Sequence, residues 1–276
     1  MFSGGVDSMF TFLQHEEEIT DLILISGFDF LLAPGELDEN QRRNRDFADA
    51  VGKRLVPVET NFLEFERKMG LAHDLAHGIC LVSVILNLGL RRVLIPSSHT
   101  YAELAPWGSH PLTDPMWSNG TTEIVHANGE ARRSRKIQAL ATHPTLLESL
   151  RVCWTQPNDN CGQCSKCIRT MLTLRVLGIR GPFPPLQDLS AVRTLRPYDE
   201  LGLGYFIDNL MLAAEHGDKE VVRALKAVMR RWDRRWALLH FDRGFMNNLG
   251  RRILRKLRPP REGPTGFAYM RPDLDV

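Results

Sequence analysis

The sequence lacks any apolar run approaching the roughly 20 residues that span a bilayer. Its first residues also lack the basic, apolar, small-residue progression of a secretory signal. A cytoplasmic protein with no membrane partner is therefore expected. Internal repeats are missing, as are low-complexity tracts beyond one local basic bias. Acids are scarce in that one place: Arg223 to Arg261 holds thirteen Lys or Arg against Asp233 and Asp242, although the whole chain carries only +2. Such asymmetry suits either an anionic partner such as nucleic acid or a solvated helical face. Cysteine is sparse too, at five in 276 residues, but Cys153, Cys161, Cys164 and Cys167 fall within fifteen residues. In a reducing compartment that clustering points to metal rather than disulfides.

What is present is ordinary globular composition, 43% hydrophobic and 25% charged, enough to bury a core and to exclude disorder as the main state. The patterning alternates strands and helices. A buried strand is expected at Asp21 to Phe28, a surface helix at Leu37 to Arg54 and a short strand at Leu55 to Val58. A buried helix follows at Leu71 to Leu90, then strands starting at Val93 and at Glu123 to His126, and a helix from Glu130 to Ala141. Repeated βα units imply a doubly wound α/β fold with ligands at the carboxyl ends of a parallel sheet. Pro182-Phe183-Pro184-Pro185 interrupts this pattern, and Tyr198 to Leu257 reads as helices, with a loose tail over the last fifteen residues. Three regions are expected: 1–150, an α/β domain; 151–180, a cysteine module with an adjoining helix; and 181–276, helical and basic.

Ser3-Gly4-Gly5-Val6-Asp7-Ser8 opens an amphipathic helix carrying Met9, Phe10, Phe12 and Leu13. Small residues at a helix start let backbone N–H groups approach phosphate oxygens, and the helix dipole favours negative charge there. The plain alternative is a serine-glycine turn. The loop has no Walker lysine but adds two hydroxyls and a carboxylate suited to Mg²⁺. It resembles the SGGxDS signature of the PP-loop ATP pyrophosphatases, the adenine nucleotide alpha hydrolase-like enzymes. The resemblance implies a HUP-like sheet of five parallel strands and attack on the α-phosphate of ATP. By it, Ser3, Gly4, Gly5, Val6, Asp7 and Ser8 would hold pyrophosphate, with Asp7 also near Mg²⁺. The backbone from Ser26 through Gly27 and Phe28 to Asp29 would face adenosine, and Arg133 and Lys136 would reach the phosphates. Lys136 has a second reading as a solvated helix-surface lysine. Only Met1 and Phe2 precede the loop, so the first, central strand is expected to be nearly missing, through truncation or a misplaced start.

Cys153-x7-Cys161-x2-Cys164-x2-Cys167 supplies four thiolates at spacings a tetrahedral ion accepts, with Gly162 permitting the tight turn. Four protein ligands leave no open position, so a structural Zn²⁺ is expected, with an Fe–S cluster as the rival. Asn160 to Arg169 resembles the zinc module of the 7-cyano-7-deazaguanine synthases, which pair it with a PP-loop. Cys80, flanked by Ile79 and Leu81, reads as a buried hydrophobe rather than a nucleophile.

The segment from Pro96 to Pro115 crowds Ser97, Ser98, His99, Tyr101, Glu103, Trp107, Ser109, His110 and Asp114 at a strand end, as a small-molecule pocket requires. Each polar group there has the alternative of satisfying the loop's own backbone. His77, on the preceding helix, is a further candidate, with a satisfied core histidine as its other reading. In PP-loop enzymes this region contributes to the acceptor site, but it departs here from the deazaguanine synthases, so the acceptor does not transfer. The segments Ser97 to Pro111 and Arg151 to Trp154 resemble ones found in some bacterial PP-loop proteins, and the resemblance covers about Phe2 to Leu177.

The expected activity is ligase-like: ATP-dependent adenylation of a carboxylate or amide of a small molecule, then displacement of AMP by an amine or ammonia. Asp7, Ser8 and Lys136 would carry the chemistry with ATP, Mg²⁺ and Zn²⁺. The alternatives are a nucleobase or tRNA modification enzyme using the basic helices and a non-catalytic nucleotide-binding protein. A homodimer stays open, as does the nitrogen donor, since no glutaminase cysteine is present.

Overall fold

The structure, a computed structural model, describes residues 1–28, 34–156, 158–186, 188–197, 200–250 and 252–253, with backbone only at 34, 194 and 200. Asp29 of the expected adenosine segment and the expected C-terminal tail lie outside them. In chain order the elements are α1 (Val6–Gln14), β1 (Asp21–Ser26), α2 (Pro34–Ala50), β2 (Arg54–Glu59), α3 (Phe62–Met69), α4 (His73–Leu86) and β3 (Arg92–Pro96). A 3-10 turn at Asp114–Trp117 precedes β4 (Glu123–Ala127), α5 (Arg133–Leu140), α6 (Pro144–Glu148) and α7 (Ser165–Leu177). The last are α8 (Ser190–Thr194), α9 (Glu200–Glu215) and α10 (Lys219–Phe245). They divide into two compact units, Met1–Gln187 and Asp188–Val276.

The first unit is mixed α/β with two small parallel sheets. β1 pairs with β2 from Asp21↔Arg54 to Ser26↔Glu59, and β3 pairs with β4 from Arg92↔Glu123 to Pro96↔Ala127. Leu22, Ile23 and Leu24 are all buried, as the continuous apolar run of a strand covered on both faces requires. Between the two pairs lies the chain start: the Phe2 N–H donates to the Ile23 carbonyl (2.8 Å), and the Met1 ammonium donates to the Leu94 carbonyl (2.7 Å). Burial pushes that ammonium down to about 5. Two residues make no strand of their own, so the described strands form two pairs rather than one sheet of five.

One apolar cluster joins Phe2, Val6, Met9 and Phe12 to Phe47 of α2, Ile137 and Leu140 of α5, and Cys153, Cys167, Met171 and Leu174. Phe47 stacks on Phe2 at 5.0 Å and meets Phe12 edge-on at 5.7 Å. A second cluster unites Ile23, Val93, Ile95 and Ile124 of the strands with Val82 and Ile85 of α4. The expected helix at Leu71 to Leu90 is thus shorter and only half covered, since Leu75 and Ile79 are exposed. Its apolar run is wider than the one face that meets the strands.

α4 instead gains a backbone contact. Gly108 donates its N–H to the Asp74 carbonyl (2.7 Å), and a Cβ on Gly78 would lie 1.8 Å from the Gly108 oxygen. Only two glycines allow this approach. In the second unit, Val221, Ala224, Leu225 and Val228 give α10 its buried stripe. Asp218 caps the helix by accepting from the Glu220 and Val221 N–H groups (3.2 and 3.0 Å). No described helix is long and apolar enough to cross a membrane.

Replacing Gly78 by Ala forces the backbone of the 97–113 segment away from α4. Urea unfolding should show a loss of about 2 kcal/mol or more, and an unchanged midpoint would contradict the close approach.

Candidate functional site

The glycine loop follows Phe2 and opens α1. Gly5 caps α1 in extended conformation, and Gly4 adopts φ +73°, which favours glycine. The Ser8 hydroxyl binds the loop together: it accepts from the Ser3 N–H (3.2 Å), lies 3.3 Å from the Ser3 hydroxyl and donates to the Gly5 carbonyl (3.1 Å). Gly27 ends β1 at φ +95° and packs so closely on Thr60 that a Cβ would sit 1.9 Å from its carbonyl oxygen. The Thr60 N–H donates to the Ser26 carbonyl (3.0 Å), and the Leu63 N–H donates to the Gly27 carbonyl (3.3 Å). These bonds fix the Ser26 to Phe28 turn beside α3.

Asp7 occupies the first turn of α1 and faces two cations from α5. Arg133 Nη1 donates to its Oδ2 (2.7 Å) and Lys136 Nζ to its Oδ1 (3.0 Å). Lys136 is 2% exposed and also donates to the Ser97 carbonyl (2.6 Å), so it is no solvated surface lysine. Burial pushes the Asp7 carboxyl up, but Lys136, Arg133 and, less, Lys166 outweigh it and hold it below the ordinary carboxylate value. Ends of β3 and α5 therefore meet the loop through one ion triad.

Two arginines outside the loop approach it, Arg151 through its backbone and Arg43 through its guanidinium. The Arg151 N–H donates to the Gly4 carbonyl (2.9 Å), and Arg43 Nη2 is 3.5 Å from where a Gly4 Cβ would stand. Burial, and then the repulsion of Arg151, pull the Arg43 guanidinium down to about 10. Neither residue belongs to the loop motif. Arg43 lies in a helix crowded with charge, where nothing in the sequence distinguished it, while Arg151 was marked only by its place just before Cys153.

The four expected metal ligands come together. Their Sγ atoms all lie within 4.8 Å of one another, with Cys161 to Cys167 at 4.0 Å and Cys153 to Cys164 at 3.9 Å. Zn–S bonds of about 2.3 Å in a tetrahedron demand roughly 3.8 Å. Backbone N–H groups of Thr155 and Gln156 donate to the Cys153 sulfur (3.3 and 3.2 Å), and those of Gln163 and Cys164 donate to the Cys161 sulfur (3.4 and 3.3 Å). Such donors favour the thiolate form that metal needs. Hydrogen bonding with Cys167 is the largest influence holding the Cys164 thiol down at about 4. The set can hold a metal such as zinc, and it is saturated by protein. Cys80 stands apart, buried, its thiol pushed up to about 12 by burial and by Glu66.

The segment after β3 divides. His99 and His77 flank the Trp107 ring edge-on at 5.3 and 5.2 Å. Tyr101 packs its ring over Gly129, and Ser98 is exposed. Ser97 instead donates its hydroxyl to the His99 carbonyl (2.5 Å). The His110 N–H donates to Asp114 Oδ1 (3.0 Å), and its Nδ1 accepts from the Leu112 N–H (3.1 Å). Asp114, fully buried, also accepts from Ser109 and pairs with His126 Nδ1, both at 2.7 Å. The Ser97 and Ser109 hydroxyls thus bond within the loop, while Asp114 also ties it to β4. His126, on β4, was not among the expected site residues. Compared with known proteins, the chain matches no family model, no curated protein and no solved structure.

Asp7→Asn leaves the buried Lys136 with a carbonyl as its main partner and should cost about 3 kcal/mol in chemical denaturation. Pairing it with Lys136→Met should recover most of that loss. Because the folded Asp7 carboxyl lies below its unfolded value of 3.8, its contribution is complete above that pH. It is lost as pH falls through the folded value, and an acid transition identical in Asp7→Asn would contradict the triad. Elemental analysis should find about one zinc per chain, and chelation should lower the melting temperature and release four reactive thiols together.

Proposed function

We propose that the chain is an ATP pyrophosphatase-type enzyme that adenylates a small molecule. The observation that carries this reading is the concentration of cations around one short glycine loop. Arg133, Lys136 and, less, Lys166 act on Asp7, while the Arg43 guanidinium approaches Gly4 with Arg151 near it. Such a field suits a polyphosphate at the N-terminus of α1 better than any neutral ligand. On this reading Met1 and Phe2 stand for the central strand of a HUP-like sheet ordered β2, β1, chain start, β3, β4. That arrangement is supported by their bonds to Ile23 on one side and Leu94 on the other.

The residues then divide the work. Backbone N–H groups of the loop after Ser3, with the Ser3 and Ser8 hydroxyls, bind the pyrophosphate portion of ATP, and the turn from Ser26 to Phe28 faces adenosine. Lys136 and Arg133, held in place by Asp7, counter the charge that grows on the leaving pyrophosphate as an acceptor oxygen attacks the α-phosphate. Asp7, Ser8 and Ser3 offer oxygen donors that fit Mg²⁺, each Asp7 oxygen retaining a lone pair beyond its cation contact. Mg²⁺ bound there would add further neutralisation of phosphate charge. His99, His77 and Trp107 make the acceptor end, which takes a carboxylate or amide whose AMP is then displaced by an amine or ammonia. Zinc in the cysteine set holds structure and takes no part in turnover.

Two observations favour other readings. Exposed Arg230, Arg231, Arg234 and Arg235 interleave on α10 with Trp232, Trp236 and His240, whose rings stand 6.2 and 4.2 Å apart, which favours a nucleic-acid substrate. The double pairing of Asp7 favours a nucleotide-binding protein without turnover.

Conversion of ATP to AMP and pyrophosphate, measured against a panel of carboxylates and amides with ammonia present, should be detectable. It should fall at least roughly a hundredfold in Ser8→Ala and Arg133→Gln. ATP bound with no AMP formed under any acceptor would leave the binding-protein reading, and full activity in both variants would end the mechanism.

A further inference from the structure

The glycine loop rests on a residue that its motif does not include. Arg43 projects from α2 so that Nη2 comes within 3.5 Å of a Cβ position on Gly4. This Nη2 is buried and finds no acceptor among the described residues, while Nη1 donates to the Asn158 carbonyl (2.9 Å). Arg151 beside it donates Nη2 to the Cys153 and Gln156 carbonyls (3.1 Å each). Both guanidinium groups are thus held from below by the stretch between the first two cysteines. Asp159 and Glu39 offset the charge only in part.

A buried Arg43 Nη2 without an acceptor among the described residues, on a guanidinium only partly compensated, disfavours the ligand-free fold and favours an anion nearby. The side on which that anion sits is decided by charge. Away from the loop, Arg43 lines a cavity of about 360 Å³ together with Asp46, Glu148 and Asp159, an acidic wall that repels anions. Toward Gly4, Nη2 approaches the loop that opens α1, where charge and helix dipole act in the same direction.

Resting on the reading of the loop as a pyrophosphate cradle, we propose that Arg43 is a positioning residue for polyphosphate. It is a half-buried cation beside Gly4 whose buried Nη2 draws the phosphate chain into the loop and sets its affinity. Arg151 assists, and the cysteine-bearing stretch keeps both in place.

The test is titration of the full-length, metal-loaded chain with inorganic pyrophosphate, followed by calorimetry and thermal shift. Arg43→Met, which keeps much of the aliphatic stem and removes the charge, should melt no lower than wild type without ligand. It should bind pyrophosphate roughly tenfold or more weakly and lose most of the ligand-induced rise in melting temperature. A merely structural arginine would give the reverse, a lower melting temperature with unchanged affinity for the folded fraction. Arg43→Gln, which keeps a donor for Asn158, carries the comparison if the Met variant does not fold. Affinity equal to wild type in the folded variant overturns the role of Arg43, whereas failure of wild type to bind pyrophosphate overturns the reading of the loop itself.

Discussion

A lysine ammonium shut away from water has to be answered, and in this chain the answer organises the first unit. Lys136 cannot stay buried without Asp7 and the Ser97 carbonyl. Asp7 belongs to α1, Ser97 follows β3 and Lys136 lies on α5, so a single charge requirement brings three distant stretches to one point. Apolar packing alone would tolerate sliding of α1 against α5, because methyl groups have no directional preference. The ion triad does not, since an ångström of displacement leaves a charge in low dielectric without its partner.

The elements that organise this point were legible because their signals are local. The apolar run at Asp21, the strands near Val93 and Glu123 and the helix carrying Arg133 and Lys136 all announce themselves through periodicity, and the structure has them within a few residues. Spacing likewise marked the cysteines, since ligands separated by seven, two and two residues have few other uses. What escaped depended on tertiary approach. Gly78 and Gly108 are unremarkable in sequence, yet their contact decides how the segment after β3 lies on α4. The fate of Ser97 and Ser109 was undecidable from residue type, because a hydroxyl serves a ligand or its own loop equally well. Arg43 sat among seven other charged residues of α2 and gained meaning only when Gly4 was found against it.

The chain start illustrates a different limit. The resemblance implied one sheet of five strands, whereas the described strands form two pairs. Hydrogen bonding shows what counting could not: Phe2 and Met1 satisfy one carbonyl on each side, and Phe2 is buried against Phe47. Met1 packs on the strand cluster and Phe2 lies in the helix-rich one, so these two residues link the two clusters.

The cysteine set has a consequence for how the molecule comes together. Its ligands enclose loops so short that closing them costs little chain entropy, unlike the separation of more than a hundred residues between Asp7 and Lys136. A metal captured there would order residues 153–167 early and start α7, whose N-cap is itself Cys164. Cys153, Cys167, Met171 and Leu174 would then offer a ready-made apolar surface onto which Phe2, Met9 and Phe12 condense. Metal supply would in that case govern the yield of folded protein, and a cell short of the ion would lose molecules during synthesis rather than finished molecules slowing in their work.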